Sequence, residues 1–276
     1  MQYFSKNNIP HKGLAMAFLA VISISLSGCD EESKQDIDSR NWQLVWSDEF
    51  DGASGTLPDD SKWGYDLGNN NGWGNAELEN YTSNTENVSL DGNGNLVITA
   101  IQNGNAYSSA RVNTKGKFSQ AYGRFEARLK TPYGPGIWPA FWMLGANNDE
   151  VSWPKCGEID IMELKGQAPN AIAGTIHGPG YSAGGALSAS YALKNSRFDL
   201  DYHIFAVEWT EDQIDFYCDG YLYNRIKKNE VPGEWVYDHN FYLILNIAVG
   251  GNYVGFPTAQ TPFPQKMIVD YVRVYQ

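Results

Sequence analysis

The sequence feature that most constrains the fold is a short run of carboxylates interleaved with apolar residues. Glu158, Asp160 and Glu163 lie within a stretch of six residues and are separated by isoleucine and methionine. Alternation with a period of two predicts a β-strand in which Glu158 and Asp160 point to one face. Regular alternation would bury Glu163 with the isoleucines, and an unpaired buried carboxylate is costly. We therefore predict a β-bulge at Ile161-Met162, which returns Glu163 to the acidic face.

Three acids on one face indicate acid–base chemistry on a sugar. Two carboxyl groups about 5–5.5 Å apart form the working pair of a retaining glycosidase, one as nucleophile and one as proton donor. Their repulsion separates their pKa values, so that one ionises while the other keeps its proton. Glu158 and Glu163 are the candidate pair, and Asp160 lies between them. Because their Cα atoms are roughly 13 Å apart along a strand, the two side chains converge only on a concave, curved sheet.

The residues alone leave two other interpretations of this segment open. It could be the solvated face of an edge strand, although such faces usually mix charges and no Lys or Arg lies between Glu158 and Glu163. It could also bind a metal ion. Calcium would accept three carboxylates, but it normally takes them from a loop that also supplies other oxygen ligands.

Composition restricts the partners of the chain. The 276 residues carry a formal net charge of −12, and 42% of them are hydrophobic and 14% aromatic. Such an acidic surface disfavours nucleic acid and anionic polysaccharides, but it imposes no penalty on a neutral polysaccharide. Four histidines and three scattered cysteines form no zinc motif. We expect Cys156 and Cys218 to be free thiols, the alternative being a disulfide in an oxidising compartment.

The first 41 residues have the composition of a targeting and linker segment. Residues 1–28 combine a basic beginning with an apolar stretch of signal-peptide length. Leu26-Ser27-Gly28-Cys29 resembles a bacterial lipobox, in which Cys29 becomes the lipidated N-terminus, and the alternative is ordinary cleavage near Gly28. Residues 29–41 are polar and read as a tether. We therefore expect a monomer with one domain over residues 42–276, lipid-anchored in the bacterial cell envelope on its periplasmic face or cell surface.

The remainder of the chain predicts an all-β domain. Short alternating or apolar runs are separated by Gly, Asn, Asp and Pro, without sustained helical periodicity. Many short strands over one domain predict a β-sandwich. The predicted strands are Leu96–Ala100, Gly123–Lys130, Ala140–Leu144, Glu158–Glu163, Ala171–Ile176, His203–Trp209, Gln213–Cys218, Phe241–Ile247 and Met267–Tyr275.

The acidic segment Gly157-Glu-Ile-Asp-Ile-Met-Glu163 resembles the active-site signature of glycoside hydrolase family 16 in its bulged form. The resemblance is to the bacterial laminarinases, the endo-β-1,3-glucanases of that family, and it covers about residues 42–276. It continues through Trp42-Gln-Leu-Val-Trp-Ser-Asp-Glu-Phe-Asp51, Gly123-Arg-Phe-Glu-Ala-Arg128, Gly136-Ile-Trp-Pro-Ala-Phe-Trp-Met-Leu-Gly145, Gly174-Thr-Ile-His-Gly178, Trp235 through Asn252, and Val269-Asp-Tyr-Val-Arg-Val-Tyr275. It implies a β-jelly roll of two curved antiparallel sheets with the substrate cleft on the concave face.

The resemblance also implies an activity that needs no catalytic cofactor. Glu158 would attack the anomeric carbon of a β-1,3-glucan, and Glu163 would protonate the leaving glucan and then activate water. Asp160 would hydrogen-bond the nucleophile. The alternatives are a mixed-linkage β-glucanase, a galactan-degrading enzyme or a transglycosylase on the same fold, and a non-catalytic β-glucan-binding protein.

Five further residues are expected at the cleft. Trp138, Trp142 and Trp153 would stack on sugar rings, whereas the alternative for them is a place in the core. By the resemblance, Arg111 would bind sugar hydroxyls and His177 would lie near the catalytic acid. The alternatives for these two are a surface arginine and a satisfied core or turn histidine.

Two other features leave alternatives open. The polar loop 68–75, which carries one tryptophan, could close over a glucan chain or be an ordinary surface loop. The resemblance implies a structural Ca²⁺ far from catalysis, held at Glu49, Gly94 and Asp270. Asp270 could instead pair with Arg273 on its own strand.

Overall fold

The computed structural model describes residues 40–276, so that the predicted signal peptide, Cys29 and nearly all of the predicted tether lie outside the described residues. Within the described part of the chain, no helix is long and apolar enough to cross a membrane. The strands, numbered in chain order, are β1 (Leu44–Asp48), β2 (Gly64–Asp66), β3 (Glu79–Tyr81), β4 (Val88–Leu90), β5 (Leu96–Asn103), β6 (Ala106–Ser109), β7 (Arg111–Asn113), β8 (Gly123–Lys130), β9 (Ile137–Gly145), β10 (Glu158–Leu164), β11 (Ala171–His177), β12 (Leu187–Ala192), β13 (His203–Trp209), β14 (Gln213–Cys218), β15 (Tyr221–Lys227), β16 (Phe241–Val249) and β17 (Gln265–Tyr275). Short 3₁₀ turns occur at Ala183–Gly185 and Lys228–Glu230, and Asn70–Gly74 forms a turn of residues with positive φ.

The strands form two sheets. The first has the order β15-β14-β13-β8-β17-β5-β6-β3, with β1 paired to β17 and β4 paired to β5. The second has the order β12-β11-β10-β9-β16-β7-β2. Neighbouring strands are antiparallel except β3 and β6, which are parallel. The predicted all-β architecture of two packed sheets is therefore confirmed.

All nine strands predicted from alternation are present. Three of them, β8, β13 and β14, have the predicted bounds, and the other six extend beyond the prediction by at most three residues at either end. Most of these strands alternate an apolar face with a more polar one, whereas β16 is a continuous apolar run that is buried throughout.

The core lies between the sheets and fixes which face of β9 and β10 is free. Ile137, Phe141 and Met143 of β9 are fully buried, as are Ile159 and Ile161 of β10. On the opposite face of β9, Trp138, Trp142 and Leu144 are only half-buried. Apolar burial on one side therefore directs the polar side chains of these two strands to the opposite face of the second sheet.

The two described cysteines belong to this buried interior. Cys156 and Cys218 are both free and fully buried. Burial raises the pKa of the Cys156 thiol to about 11. The prediction of two free thiols is confirmed.

Candidate active site

The predicted bulge in β10 is present. In the ladder to β9, Asp160 faces Trp142 and Met162 faces the next residue of β9, so that Ile161 has no partner. The ladder to β11 shifts within the same stretch, between Asp160 and Glu163. The extra residue returns Glu163 to the face that carries the other two carboxyl groups.

The three carboxyl groups of β10 are largely withdrawn from water. Asp160 is 4% exposed and Glu163 is 9% exposed. Burial, followed by the charge of Glu158, raises the pKa of Glu163 to about 7. Burial, followed by the charge of Asp160, raises the pKa of Glu158 to about 8. Burial and the charge of Glu163 raise the pKa of Asp160 well above its ordinary range.

These shifts show that the site keeps protons near neutral pH. Glu158 and Asp160 share a hydrogen bond, which raises the pKa of Glu158 and lowers that of Asp160. Burial and mutual repulsion prevent the three carboxyl groups from ionising together. The site can therefore hold a carboxylate beside a carboxylic acid, as a retaining glycosidase requires.

His177 lies beside Asp160 and Glu158, and its charge also acts on Glu163, the predicted catalytic acid, by lowering the pKa of that carboxyl against the effect of burial. Its Nε2 lies 3.1 Å from Asp160 Oδ2 and 3.8 Å from Glu158 Oε1. The reason is the register of the sheet, because His177 on β11 is the direct partner of Glu158 on β10. Its Nδ1 accepts a hydrogen bond of 3.1 Å from the Ala183 amide, so that a neutral ring carries its proton on the nitrogen facing the carboxyl groups.

Trp138 and Trp142 face the cleft, as predicted. Trp138 Nε1 donates a hydrogen bond of 3.0 Å to Glu163 Oε1, which lowers the pKa of that carboxyl against the effect of burial. Trp142 Nε1 donates to Asn246 Oδ1 at 2.7 Å. The indole nitrogen is thus satisfied in both cases while the ring remains half-buried beside the acids. Trp153 is 45% exposed, and its ring centroid lies 5.8 Å from that of His177.

Arg111 is in the cleft and is sandwiched between two tryptophans. Its guanidinium lies 4.6 Å from the ring centroid of Trp142 and 4.8 Å from that of Trp73. Its Nε lies 2.9 Å from Asp66 Oδ2. The ion pair and the two rings fix the plane of the guanidinium, so that its remaining N–H groups are presented in a defined direction. The loop 68–75 thus contributes Trp73 to the site.

Three other residues at the site were not found from the sequence. Asn246 bonds Trp142, Asp66 holds Arg111, and the ring of Tyr253 lies 5.0 Å from that of Trp138. Asn246 did carry a signal, because it is the one polar residue in the otherwise apolar strand Phe241–Val249 and is 6% exposed. A buried amide in such a strand requires partners.

Two of the three residues predicted to hold calcium lie together. A Cβ built on Gly94 would be 3.7 Å from the carbonyl oxygen of Glu49 and 3.8 Å from Asp51 Oδ1. Carbonyl and carboxylate oxygens are the ligands that calcium takes. The main chain at Glu49 and Gly94, together with Asp51, therefore fits a calcium ion.

The carboxylates of Glu49 and Asp270 are engaged elsewhere. Arg273 makes a two-pronged contact with Glu49, with nitrogen–oxygen distances of 2.9 and 2.8 Å. Asp270 Oδ2 lies 2.6 Å from Arg128 Nη1. The alternative pairing of Asp270 with Arg273 is wrong, since Arg273 is turned to the first strand. Asp270 would have to exchange its arginine partner to bind an ion through its carboxylate.

The geometry of the cleft fits two kinds of chemistry. Glu158, Asp160 and His177 present ligand atoms within 4.8 Å of one another, a spacing that a metal ion would also accept. The raised pKa values of Glu158 and Glu163 instead suit a retaining carboxyl pair, in which one group keeps a proton near neutral pH. Comparison with known proteins distinguishes the two.

Residues 75–272 match the model of the glycosyl hydrolases family 16. A β-glucanase of Rhodothermus marinus is 42% identical over 277 residues, spanning 94% of this chain and 93% of that protein. The laminarinase catalytic domain of Thermotoga maritima MSB8 shares the fold with a TM-score of 0.80 and 48% identity, covering 86% of this chain and 99% of that domain. The endo-β-1,3-glucanase of Pyrococcus furiosus gives a TM-score of 0.82 and 46% identity, covering 87% of this chain and 96% of that one. The predicted jelly roll is thereby confirmed, and the chain belongs to family 16 of the glycosyl hydrolases.

Proposed function

We propose that this protein hydrolyses internal bonds of β-1,3-glucan chains of the laminarin type with retention of anomeric configuration. The observation that carries the proposal is the bulged strand β10, which presents Glu158, Asp160 and Glu163 together beneath a tryptophan-lined cleft. The solved structures reported above are a laminarinase and an endo-β-1,3-glucanase. No cofactor takes part in the proposed steps.

The first half of the reaction forms a glycosyl-enzyme. The Glu158 carboxylate attacks the anomeric carbon, the bond to the glycosidic oxygen breaks, and Glu163 transfers its proton to that oxygen as the glucan leaves. Asp160 lies beside the attacking group and shares a hydrogen bond with it, which positions the Glu158 side chain. The indole N–H of Trp138 stabilises the carboxylate that Glu163 becomes.

The second half releases the sugar. Ionised Glu163 removes a proton from water, the water oxygen attacks the anomeric carbon, and Glu158 leaves as a carboxylate. Two inversions restore the original configuration. A neutral polymer suits this cleft, because its recognition surfaces are ring faces and an arginine rather than a cluster of positive charge.

A substrate panel tests the proposal. Reducing-sugar release would be measured on laminarin, mixed-linkage β-glucan and agarose, with wild type and Glu158→Ala, and the products would be sized to distinguish internal from terminal cleavage. We expect laminarin to be cleaved to a ladder of oligosaccharides by wild type alone. Proton NMR of the first products should show the β-anomer before mutarotation.

Each competing function predicts a different result in the panel. If mixed-linkage glucan or agarose is cleaved and laminarin is not, the proposed mechanism would stand but the proposed substrate would be wrong. Products longer than the starting oligosaccharide would indicate transglycosylation. Retardation by laminarin in a gel without cleavage would establish a binding protein.

Trp138→Phe should move the alkaline limit of activity to higher pH. The hydrogen bond from the indole nitrogen favours the ionised form of Glu163, so its removal raises the pKa of the general acid, and the acid form persists further into the alkaline range. A hydrogen bond to a charged group corresponds to a shift of about one pH unit in the falling limb of kcat/KM. Trp142→Phe is the matched control, because its indole nitrogen bonds Asn246 instead. Equal shifts in both variants would contradict this role.

We also propose that the domain of residues 42–276 is held at the bacterial cell envelope by a lipid on Cys29, following a signal peptide of residues 1–28 and a tether of residues 29–41. Support comes from the small residues before Cys29 directly after an apolar stretch, and from the polar composition that follows. Wild type should sediment with membranes and incorporate labelled palmitate, whereas Cys29→Ser should do neither. Incorporation without Cys29 would overturn the assignment.

A structural Ca²⁺ at Glu49, Gly94 and Asp270 is proposed on the convergence of oxygens around Gly94. Its binding would stabilise the folded state by mass action, so that excess Ca²⁺ over its dissociation constant should raise the melting temperature and EDTA should reverse the effect. Asp51→Ala should reduce this calcium-dependent shift. An unchanged melting temperature in millimolar Ca²⁺ would remove the proposal.

A further inference from the structure

The segment that brings Trp73 to the cleft, Gly68–Leu78, is folded in an unfavourable backbone conformation. We call it the Trp73 segment. Four of its non-glycine residues have positive φ, with values of 44° at Asn70, 54° at Asn71, 52° at Trp73 and 59° at Ala76. Side chains with a Cβ rarely adopt this region, and a run of such residues persists only when tertiary contacts hold it. The contacts that hold this segment therefore control the position of Trp73.

Glu77 is the first of these contacts. It is 7% exposed, and its Oε1 accepts a hydrogen bond of 3.2 Å from Asn75 Nδ2 within the segment. Its Oε2 accepts a hydrogen bond of 3.1 Å from the hydroxyl of Tyr81 on β3. The Glu77 side chain thus ties the segment to the strand that follows it.

Glu79 is the second contact, and it lies deeper. It is fully buried, and its Oε2 accepts a hydrogen bond of 2.6 Å from the amide of Val249, the last residue of β16. Its Oε1 has no hydrogen-bond donor among residues 40–276. The backbone runs alongside, since the Leu78 amide donates to the Val249 carbonyl at 2.8 Å. Glu79 therefore fixes the end of the segment to β16.

The two carboxyl groups interact directly and lack a compensating cation. The charge of Glu77 and a hydrogen bond with its side chain, added to burial, raise the pKa of Glu79 to about 9. No basic side chain in the described part of the chain forms an ion pair with either of them. Two neighbouring buried carboxyl groups cannot both ionise without repulsion. When Glu79 carries a proton on Oε1, this oxygen can donate a hydrogen bond, and the Glu77 carboxylate can accept it.

Hydrogen bonds connect this pair to the wall of the cleft. The Tyr81 hydroxyl that bonds Glu77 accepts a hydrogen bond of 3.0 Å from Asn246 Nδ2. Asn246 in turn bonds Trp142, one of the two rings that enclose Arg111. The other enclosing ring, Trp73, packs on Tyr81 with a centroid distance of 5.8 Å. Both rings of the arginine sandwich are thus positioned through residues that bond the acid pair.

We propose that the Glu77–Glu79 pair, holding one proton between its two carboxyl groups, is the latch that keeps the Trp73 segment closed on the cleft, and that loss of this proton releases it. Glu77 and Glu79 are positioning residues, since they reach the substrate only through Trp73, Arg111 and Trp142. In the ionised pair the hydrogen bond between the two carboxyl groups is lost and two buried negative charges repel, so that the buried position of the segment is destabilised. The latch makes substrate affinity sensitive to alkaline pH independently of the catalytic acids.

The other titratable groups around the pair are few. Tyr81 on β3 bonds Glu77, and burial raises its pKa well above the ordinary range, so that it stays protonated throughout the transition. Tyr107 on β6 is the ladder partner of Glu79, and the positive charge of Arg111 on β7 acts on Tyr81 against the effect of burial on its pKa. The strand β16 contributes the Val249 amide and the Asn246 side chain, neither of which titrates.

The test follows Trp73 without substrate. The protein would be labelled with 5-fluorotryptophan, and the ¹⁹F resonance that disappears in Trp73→Phe would be assigned to Trp73. Wild type, Glu79→Gln and Glu79→Ala would be titrated between pH 6 and 10.5. We expect the wild-type resonance to move to a solvent-exposed position around pH 9. Glu79→Gln mimics the protonated acid and should keep the resonance in place, whereas Glu79→Ala should be displaced at every pH.

Kinetics on a soluble β-1,3-glucan oligosaccharide provide the second arm, which rests on the proposed function. Wild type should show a KM that rises several-fold above pH 9 while that of Glu79→Gln does not, and kcat should follow the same pH profile in both. The fluorine arm remains valid if the substrate is a different glycan. A resonance that moves equally in wild type and Glu79→Gln, or one that does not move in wild type, would overturn the latch.

Discussion

Glu158→Ala is expected to lose laminarin hydrolysis by a factor on the order of 10⁴, because no other side chain of the site can form the glycosyl-enzyme. Glu163→Ala should lose about 10²–10⁴-fold on glucan, the range attributed to a positioned proton donor. The two losses overlap in size, so that rate alone does not assign the roles. The leaving group separates the two roles. In an aryl β-glucan oligosaccharide the phenolate departs without protonation. Glycosyl-enzyme formation from this substrate should survive in Glu163→Ala and fail in Glu158→Ala.

Added azide distinguishes the two variants through product stereochemistry. In Glu158→Ala, azide enters the space vacated by the nucleophile and displaces the aryl group directly, which gives the α-glycosyl azide. In Glu163→Ala, Glu158 reacts first and azide then displaces it, which gives the β-glycosyl azide. Proton NMR coupling constants of the products provide the measurement. An α product from Glu163→Ala, or a β product from Glu158→Ala, would exchange the two assignments.

The arrangement of the acids could be predicted from the sequence because it is encoded locally. The alternation around Glu158 and Asp160 fixes a strand, and the apolar residues at Ile161-Met162 leave Glu163 on the wrong face unless the strand bulges. Because burying an unpaired charge is costly, we predicted a bulge, and the ladder between β10 and β9 shows the corresponding shift in register. Periodicity put Trp138 and Trp142 on one face of their strand, and the family resemblance indicated that this face borders the cleft.

The arginine sandwich could not be predicted, because no part of it is local. Trp73 comes from a polar loop, Arg111 from a three-residue strand and Trp142 from a nine-residue strand. Arg111 is too close to its strand ends for alternation to reveal its direction. Sequence separation also hid the partners of Glu49, whose carboxylate meets Arg273 at the far end of the chain.

The burial of Glu77 and Glu79 was equally invisible, for a related reason. The strand β3 has three residues, and its sequence Glu79-Asn80-Tyr81 reads as a solvated turn. Two acidic residues so close in sequence normally indicate a solvent-exposed segment. They are buried because the Trp73 segment folds over the end of β16, and this is a property of the tertiary structure alone.

Glu79→Gln should make the protein more stable at neutral pH. The folded state holds the Glu79 proton up to a pKa of about 9, whereas the unfolded chain releases it near the ordinary value of 4.5. Between these two pH values the folded state binds more protons than the unfolded state, so that the free energy of unfolding of wild type falls as pH rises through this window. A glutamine does not titrate and escapes this loss. We expect a gain of roughly 3 kcal/mol at pH 7, equivalent to about 6–12 °C in melting temperature for a domain of this size.

The pH dependence makes this prediction specific. The gain should vanish at about pH 4.5, where both states of wild type begin to hold the proton, and it should grow towards pH 9. Urea unfolding followed by circular dichroism at several pH values provides the measurement. Glu86→Gln, at an exposed position a few residues further along, is the matched control and should leave the stability within about 0.5 kcal/mol of wild type. Equal stabilities of wild type and Glu79→Gln at pH 7 would mean that Glu79 is ionised in the folded protein, and the shared proton would then have to be abandoned together with the latch.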